Sequence, residues 1–134
     1  ELYKGGIVSL KEYAAKSYDN DIIINIIVKK RPVHMFYEAV RITETDLPVL
    51  TCSGVKFADT GLCNICIGAR PGKAVIVKDT YDILSSGMSE ESIEKFADFV
   101  EKNLPTQGNM RGSAGYRSHL AGVLTKRALI NINK

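Results

Sequence analysis

A chain of 134 residues with net charge +3, 45% apolar and 25% charged, has the size and composition of one ordinary globular domain with a real core. The mild charge excludes the basic stripe of a dedicated nucleic-acid binder. The longest apolar run, Ile22 to Val28 with Asn25 inside it, is too short for a membrane span.

No secretory signal is visible, and three cysteines, an odd number, suit a reducing cytoplasm better than a disulfide scaffold. The chain starts at Glu1 rather than Met and is expected to be cut from something longer. Leu2-Tyr3-Lys4-Gly5-Gly6 reads as an incoming loop, and Ser9 to Tyr18 as a short helix or an irregular arm. Asp19-Asn20-Asp21 is a turn signal. Behind it Ile22 to Val28, β-branched nearly throughout, predicts the clearest strand of the chain, buried over most of its length. Pro32 closes that stretch, because it cannot donate to a ladder.

Met35–Ile42, Val49–Phe57 and Leu62–Ala69 follow as strands joined by the short turns at Glu44-Thr45-Asp46 and Asp59-Thr60-Gly61, the pattern of an antiparallel meander. Arg70-Pro71-Gly72-Lys73 turns the chain again, and Ala74–Val77 adds an edge strand. Thr80 is placed to cap a short helix through Leu84. Ser89 is a good N-cap, with Glu90 and Glu91 in the first turn, where the helix dipole favours negative charge. Ile93, Phe96, Ala97, Val100 and Leu104 then make one apolar stripe, and Pro105 stops the helix. Gly112, Ser113 and Gly115 lead into a last helix. Tyr116, Leu120, Val123, Leu124 and Ala128 recur there at helical spacing, with Arg117, Lys126 and Arg127 on the remaining face. Strands first and helices after predict an α+β domain: an antiparallel sheet of three to four strands with about three helices packed on one face. No linker breaks the chain, so residues 1–134 read as a single domain.

Candidate chemistry is thin. Cys63 and Cys66 form a Cys-x-x-Cys, but residues three apart on a strand face opposite ways, so the pair reads as packed thiols, not as a metal or redox site. His34 and His119 have no Ser or Cys at a triad's spacing. The segments around Gly5-Gly6, Gly68 to Gly72 and Gly108 to Gly115 lack a dinucleotide fingerprint or phosphate-binding loop and read as turns. Glu38, Glu44 and Asp46 show no pairing suited to acid–base work. Arg111, Arg117 and Arg127 are the charges to follow. They suit binding carboxylates or carbonyls within the domain, or an interface, where Arg is enriched.

Several stretches together resemble the C-terminal domain of the FAD-binding subunit of molybdenum hydroxylases, the group of carbon monoxide, xanthine and nicotinate dehydrogenases. Asp21-Ile22-Ile23 to Val28 is similar to the family's opening strand. Phe36 to Arg41 with Asp46-Leu47-Pro48-Val49 resembles its next pair of strands, and Ile67-Gly68-Ala69-Arg70-Pro71 its Leu-Gly-Gly-Val-x-Pro segment. Leu84 to Gly87 followed by Ser89-Glu90-Glu91 resembles its next loop and helix. Arg111-Gly112-Ser113-Ala114-Gly115-Tyr116-Arg117 with Arg127-Ala128-Leu129 is the most specific piece. Asn109 stands where the family usually has Asp, so a charge pair from that site is lost or moved. Glu38 stands where Lys is common, so the outer face of that strand is expected to differ.

The resemblance implies a chain whose flavin phosphate and adenine contacts come from two preceding FAD-binding subdomains of the same subunit. Tyr3 and Lys4 are the positions it offers to the flavin edge. It implies no catalytic residue and no metal ligand in this chain. Arg111, Tyr116, Arg117 and Arg127 are left to hold the domain together or dock it. The whole enzyme would be a cytoplasmic, xanthine dehydrogenase-like hydroxylase with molybdopterin and 2Fe-2S clusters in partner subunits or domains, passing electrons through FAD to NAD or another acceptor. The competing reading is a stand-alone α+β protein-interaction domain without flavin.

Overall fold

The computed structural model describes residues 1–17, 20–69, 72–79 and 81–134. Tyr18 and Asp19 of the first arm and turn, Arg70 and Pro71 of the later turn, and the proposed cap Thr80 lie outside the described residues. The chain divides into two compact units, Glu1–Arg31 and Pro32–Lys134.

In the first unit Leu2 is buried and closes a tight turn, Leu2 N donating to Gly6 O at 2.8 Å and Gly6 N to Leu2 O at 3.1 Å. Gly6 adopts φ +64°, the left-handed region that glycine reaches without strain. Helix α1, Leu10–Ala15, carries a capping box: the Ser9 hydroxyl accepts from Glu12 N while the Glu12 carboxylate accepts from Ser9 N. The bonds from Ser9 N and from the Ser9 hydroxyl to that carboxylate hold the Glu12 carboxyl below its ordinary pKa. The predicted strand at Ile22–Val28 does not form as a ladder. Ile23 bridges Leu2 and the rest of the run is unassigned and solvent-exposed. β-branched side chains favour an extended backbone, but a strand is completed only by neighbours on its edges and faces.

The second unit holds the sheet. Strands β1 (Val33–Val40), β2 (Leu50–Phe57), β3 (Cys63–Gly68) and β4 (Val75–Val77) pair antiparallel in sequence order. One line of the register crosses all four strands: Phe36 faces Gly54, Gly54 faces Ile65, and Ile65 faces Val77. Gly61, at φ +68°, makes the β2–β3 turn, its N–H donating to Phe57 O at 2.8 Å. Leu50, Cys52, Ile65 and Ile67 form the buried face of the sheet. Helix α2 (Glu90–Asn103) starts at Ser89, whose hydroxyl accepts from Ser92 N. It buries Ile93, Phe96, Ala97 and Val100, with Leu104 at its C-cap. The stripe is the one its sequence spells out.

Helix α3 (Ala114–Ile132) packs against α2 and against β2 and β1. Its buried face is Arg117, Ala121, Leu124, Thr125, Ala128, Leu129 and Ile132, while Tyr116 is exposed. The expected face was therefore out of phase by about one residue. The cause is that an arginine, and small residues in place of bulky ones, occupy core positions. Gly122 brings α3 against α2, where a Cβ would lie 3.2 Å from Ala97 O and 2.8 Å from the Glu101 carboxylate. No helix forms at the end of the stretch proposed for one, where residues 81–86 are turns and an unassigned residue. There the Asp79 carboxylate accepts from Ile83 N and Leu84 N at 2.8 and 2.7 Å, tying the backbone into a local loop. Among the described residues the result is an α+β fold of a four-stranded antiparallel sheet with three helices, of which α1 precedes the sheet and lies in the first unit.

Candidate functional site

The start of α3 gathers three of the residues singled out in the sequence, Arg111, Tyr116 and Arg117. Asn109 and Gly112 pair backbone to backbone, at 3.0 and 3.1 Å, and fold residues 109–112 into a turn. The Asn109 side-chain oxygen accepts from Arg111 N at 2.9 Å. Ser113 caps α3 by accepting from Tyr116 N at 3.1 Å. Thr106 Oγ1 donates to Ala114 O at 2.8 Å and lies 2.9 Å from Ser118 Oγ, fastening the segment after Pro105 to the first turn of the helix. A Cβ on Gly112 would sit 3.2 Å from the Tyr116 ring and 3.4 Å from Val49 Cγ1, so a side chain there would have to push the Tyr116 ring aside by a few tenths of an ångström.

Arg117 is the centre of this arrangement. It is 1% exposed. Its Nε donates to Val49 O at 2.9 Å and its Nη1 to Gly112 O at 2.7 Å and to Gln107 O, while Nη2 donates to the Asn109 side-chain oxygen. A planar guanidinium presents five N–H donors in a fixed fork and stays charged at any working pH. Here the fork binds the β1–β2 connection, the α2–α3 connection and the helix start together. The sequence reading gave the arginines this carbonyl-binding role as one alternative, and Arg117 fills it. Asn109, standing where the resemblance led one to expect Asp, keeps the bond with a neutral acceptor.

Arg127 lies farther along α3 and ion-pairs with Glu38 of β1 at 2.6 Å. Glu38 therefore sits on the helix-facing side of the sheet, not on the outer face where the sequence placed its effect. It shares the side of Cys52, its register partner. Arg111 is half-buried and Tyr116 exposed, in a stretch where Met110, Ser113, Ala114 and Gly115 are exposed too. His119 Nδ1 lies 3.3 Å from a Glu101 carboxylate oxygen at the exposed α2–α3 seam.

Tyr3 and Lys4 belong to the first unit. Tyr3 is exposed and its N–H donates to Ile22 O at 2.9 Å. Lys4 N and Gly5 N donate to the two oxygens of the Asp21 carboxylate at 3.0 and 2.9 Å. The Lys4 bond is the largest cause holding that carboxyl below its usual range, with Ile22 N and Gly5 N adding to it. These amides are engaged within the chain, as are those of Asn109 and Gly112.

The three cysteines are free. Burial pushes the Cys52 thiol up to about 12, with Cys66 and Glu38 adding to it, and Cys63 up to about 11 against the pull of Lys56. Cys66 moves the same way by burial, opposed by a hydrogen bond from Ser53. A thiol reacts as its thiolate, so Cys52 and Cys63 are expected to alkylate with iodoacetamide at pH 8 at least about 100-fold more slowly in the folded chain than in urea. Peptide mass spectrometry reads both rates, and Cys52 labelled as fast as the unfolded control would contradict this packing. Raised folded-state values also mean that this contribution to stability is complete below pH 9, the ordinary thiol value, and is lost as pH climbs toward about 12. Among the described residues no group of three or more His, Cys, Asp or Glu stands close enough to hold a metal. No helix among them is long and apolar enough to cross a membrane.

The sequence pattern described as the CO dehydrogenase flavoprotein C-terminal domain matches residues 35–132. Similar folds occur in the carbon monoxide dehydrogenase of Hydrogenophaga pseudoflava lacking the Mo-pyranopterin moiety of its cofactor, at 20% identity and TM-score 0.62, covering 75% of this chain and 36% of that one. Quinoline 2-oxidoreductase of Pseudomonas putida 86 aligns at 19% identity and TM-score 0.62, covering 75% and 37%. A cyanide-inactivated Cu,Mo-CO dehydrogenase aligns at 20% and TM-score 0.64, covering 79% and 38%. This chain thus spans little more than a third of each solved chain. No curated relative matches the sequence.

Proposed function

We propose that this chain, which belongs to the family of CO dehydrogenase flavoprotein C-terminal domains, is the structural and docking end of the FAD subunit of a molybdenum-containing hydroxylase. The observation that carries the reading is the family match over 35–132, together with what the structure does at the family's most specific stretch. There the side chains bind backbone and cap a helix. They are not arranged as a nucleophile with its base.

In this reading FAD is held mainly by preceding subdomains of the same subunit, with Tyr3 and Lys4 near the flavin edge. Iron–sulfur and molybdenum subunits complete a cytoplasmic, xanthine dehydrogenase-like enzyme whose electrons leave to NAD or another acceptor. Arg111 and Tyr116, at the start of α3, are its docking residues, while Arg117 and Arg127 hold the domain together. The amides already satisfied by Asp21 and by the 109–112 turn support placing the phosphate contacts elsewhere.

The expected result is that the purified 134-residue chain loses FAD on gel filtration, and that the intact subunit elutes yellow with one FAD per polypeptide. Stoichiometric flavin on the short chain would overturn the division of labour. A colourless intact protein would overturn the function itself.

A further inference from the structure

The two long helices of the Pro32–Lys134 unit differ on the sides they turn away from the core. On α2 the exposed side chains include Glu90, Glu91, Glu94, Lys95, Asp98 and Lys102, the pattern of a helix that faces water. On α3 a second apolar row lies outside the buried face: Tyr116, Leu120, Val123 and Ile130, with Arg127 among them. Tyr116 is 47% exposed and Ile130 43%, while Leu120 and Val123 are half-buried. Counting Arg127, the spacings are four, three, four and three, so the row is one straight stripe, about 21 Å long at 1.5 Å per residue. Tyr116, Leu120 and Val123 gave this helix its periodicity in the sequence, yet the core receives Ala121, Leu124 and Ala128 instead. A helix that is apolar on both sides is the pattern of one covered on both sides.

Charge says what would cover it. No Asp or Glu occurs from Lys102 to Lys134, a stretch that holds Arg111, Arg117, Lys126, Arg127 and Lys134. On α2 the balance is reversed, with Glu90, Glu91, Glu94, Asp98 and Glu101 against Lys95 and Lys102. The flank where the two helices meet shows how α3 takes a neighbour. Lys126 Nζ lies 2.6 Å from a Glu94 oxygen and His119 Nδ1 3.3 Å from a Glu101 oxygen, on either side of the close approach at Gly122. The stripe offers the same chemistry on a side that α2 does not reach. Its cation is Arg127, whose side chain stays 56% exposed although it meets Glu38.

We infer that the Tyr116–Ile130 stripe is the docking site for an amphipathic helix of a partner subunit, one with apolar residues at three-and-four spacing and Asp or Glu beside them. This rests on the functional reading above, which supplies the partner subunits, and it extends the docking face from Arg111 and Tyr116 along the length of α3. A second copy of α3 fits the stripe less well, because it would set cations against cations.

The test uses the natural enzyme purified with all its subunits, and the FAD subunit separated from it. Hydroxyl-radical footprinting is expected to label Tyr116 and Ile130 at least about 10-fold more slowly in the assembled enzyme. Paired substitutions then read the chemistry of the partner. Val123→Glu with Ile130→Glu is expected to leave FAD content and the thermal midpoint of the FAD subunit unmoved, and to weaken assembly at least about 100-fold. Val123→Lys with Ile130→Lys is expected to weaken it at least about 10-fold less than the Glu pair does. Equal losses from the two pairs would overturn the acidic partner, and so would an FAD subunit whose dimers the Glu pair dissociates. Unchanged labelling of Tyr116 and Ile130 on assembly would overturn this inference alone. A natural protein without FAD and partner subunits would overturn the functional reading and this inference with it.

Discussion

Arg117→Ala is expected to remove at least about 3 kcal/mol from the stability of the Pro32–Lys134 unit, a large share of the 5–15 kcal/mol typical of a domain. The loss has two sources. The guanidinium fills a fully buried position, and its departure leaves the carbonyls of Val49, Gln107 and Gly112 and the amide oxygen of Asn109 without these donors. Each buried acceptor left unmade costs about 1–3 kcal/mol, less what water recovers. Arg117→Lys keeps the charge but offers a point donor on a flexible stem, which cannot span four acceptors, and is expected to lose nearly as much. Arg117→Met keeps the volume and still removes the donor from the Val49 and Gln107 carbonyls, while Gly112 O and the Asn109 side-chain oxygen keep Asn109 N and Arg111 N. Urea titration of all three checks this, with the midpoint expected to fall while the slope holds. Met or Ala within about 1 kcal/mol of the parent would show that the carbonyl clasp contributes little. Asn109→Asp is the converse substitution. It turns one neutral acceptor into a charged one facing Arg117, and charge-assisted bonds are roughly twice as strong.

Gly54→Val is expected to destabilise by about 3 kcal/mol, although valine is among the best strand residues and glycine among the worst. Strand propensity alone favours the valine by up to about 1 kcal/mol. Space decides against it. A Cβ at Gly54 would lie 3.2 Å from Ala128 Cβ and from Ile65 Cδ1, and 3.4 Å from Ile132 Cδ1, before either γ-methyl is added. Ala128 Cβ belongs to the body of α3 and has no rotamer with which to retreat. The helix must rise off β2, or the strand must bow. Circular dichroism melts of the two proteins settle the sign, and a valine variant as stable as the parent would mean that α3 does not cross the sheet at this point.

Much of the second unit was legible from its residues. Ser89, followed by Glu90, Glu91 and a regular apolar stripe, specified α2 and its buried face, because cap, charge and periodicity agreed. The turn at Asp59-Thr60-Gly61 and the alternation on either side of it located β2 and β3. Besides the short helix expected to end at Leu84, two elements differ from their sequence reading for physical reasons. On α3, bulk was taken for burial, yet Ala121, Gly122 and Ala128 are core because the helix lies close to its neighbours, and Arg117 is core because carbonyls receive it. At Ile22–Val28, propensity was taken for structure, whereas a ladder needs partners that composition does not reveal. Of the candidate site, the carbonyl-binding role of an arginine followed from residue chemistry. Which arginine filled it depended on a loop, 107–112, with no periodic signal.

The bond from Arg117 to Val49 spans 68 positions of sequence. Most other pairings in the sheet and between the helices join near neighbours, which close quickly and cheaply. The guanidinium can shed its water only after the connection before β2 and the loop before α3 have both arrived. The clasp is therefore expected to close late on the way to the native state, so that Arg117→Ala speeds unfolding more than it slows folding. Contacts absent at the barrier act on the rate of leaving the native state and scarcely on the rate of reaching it. In this unit the buried arginine serves persistence: it is a latch on a structure that the meander and the helix pair have already assembled.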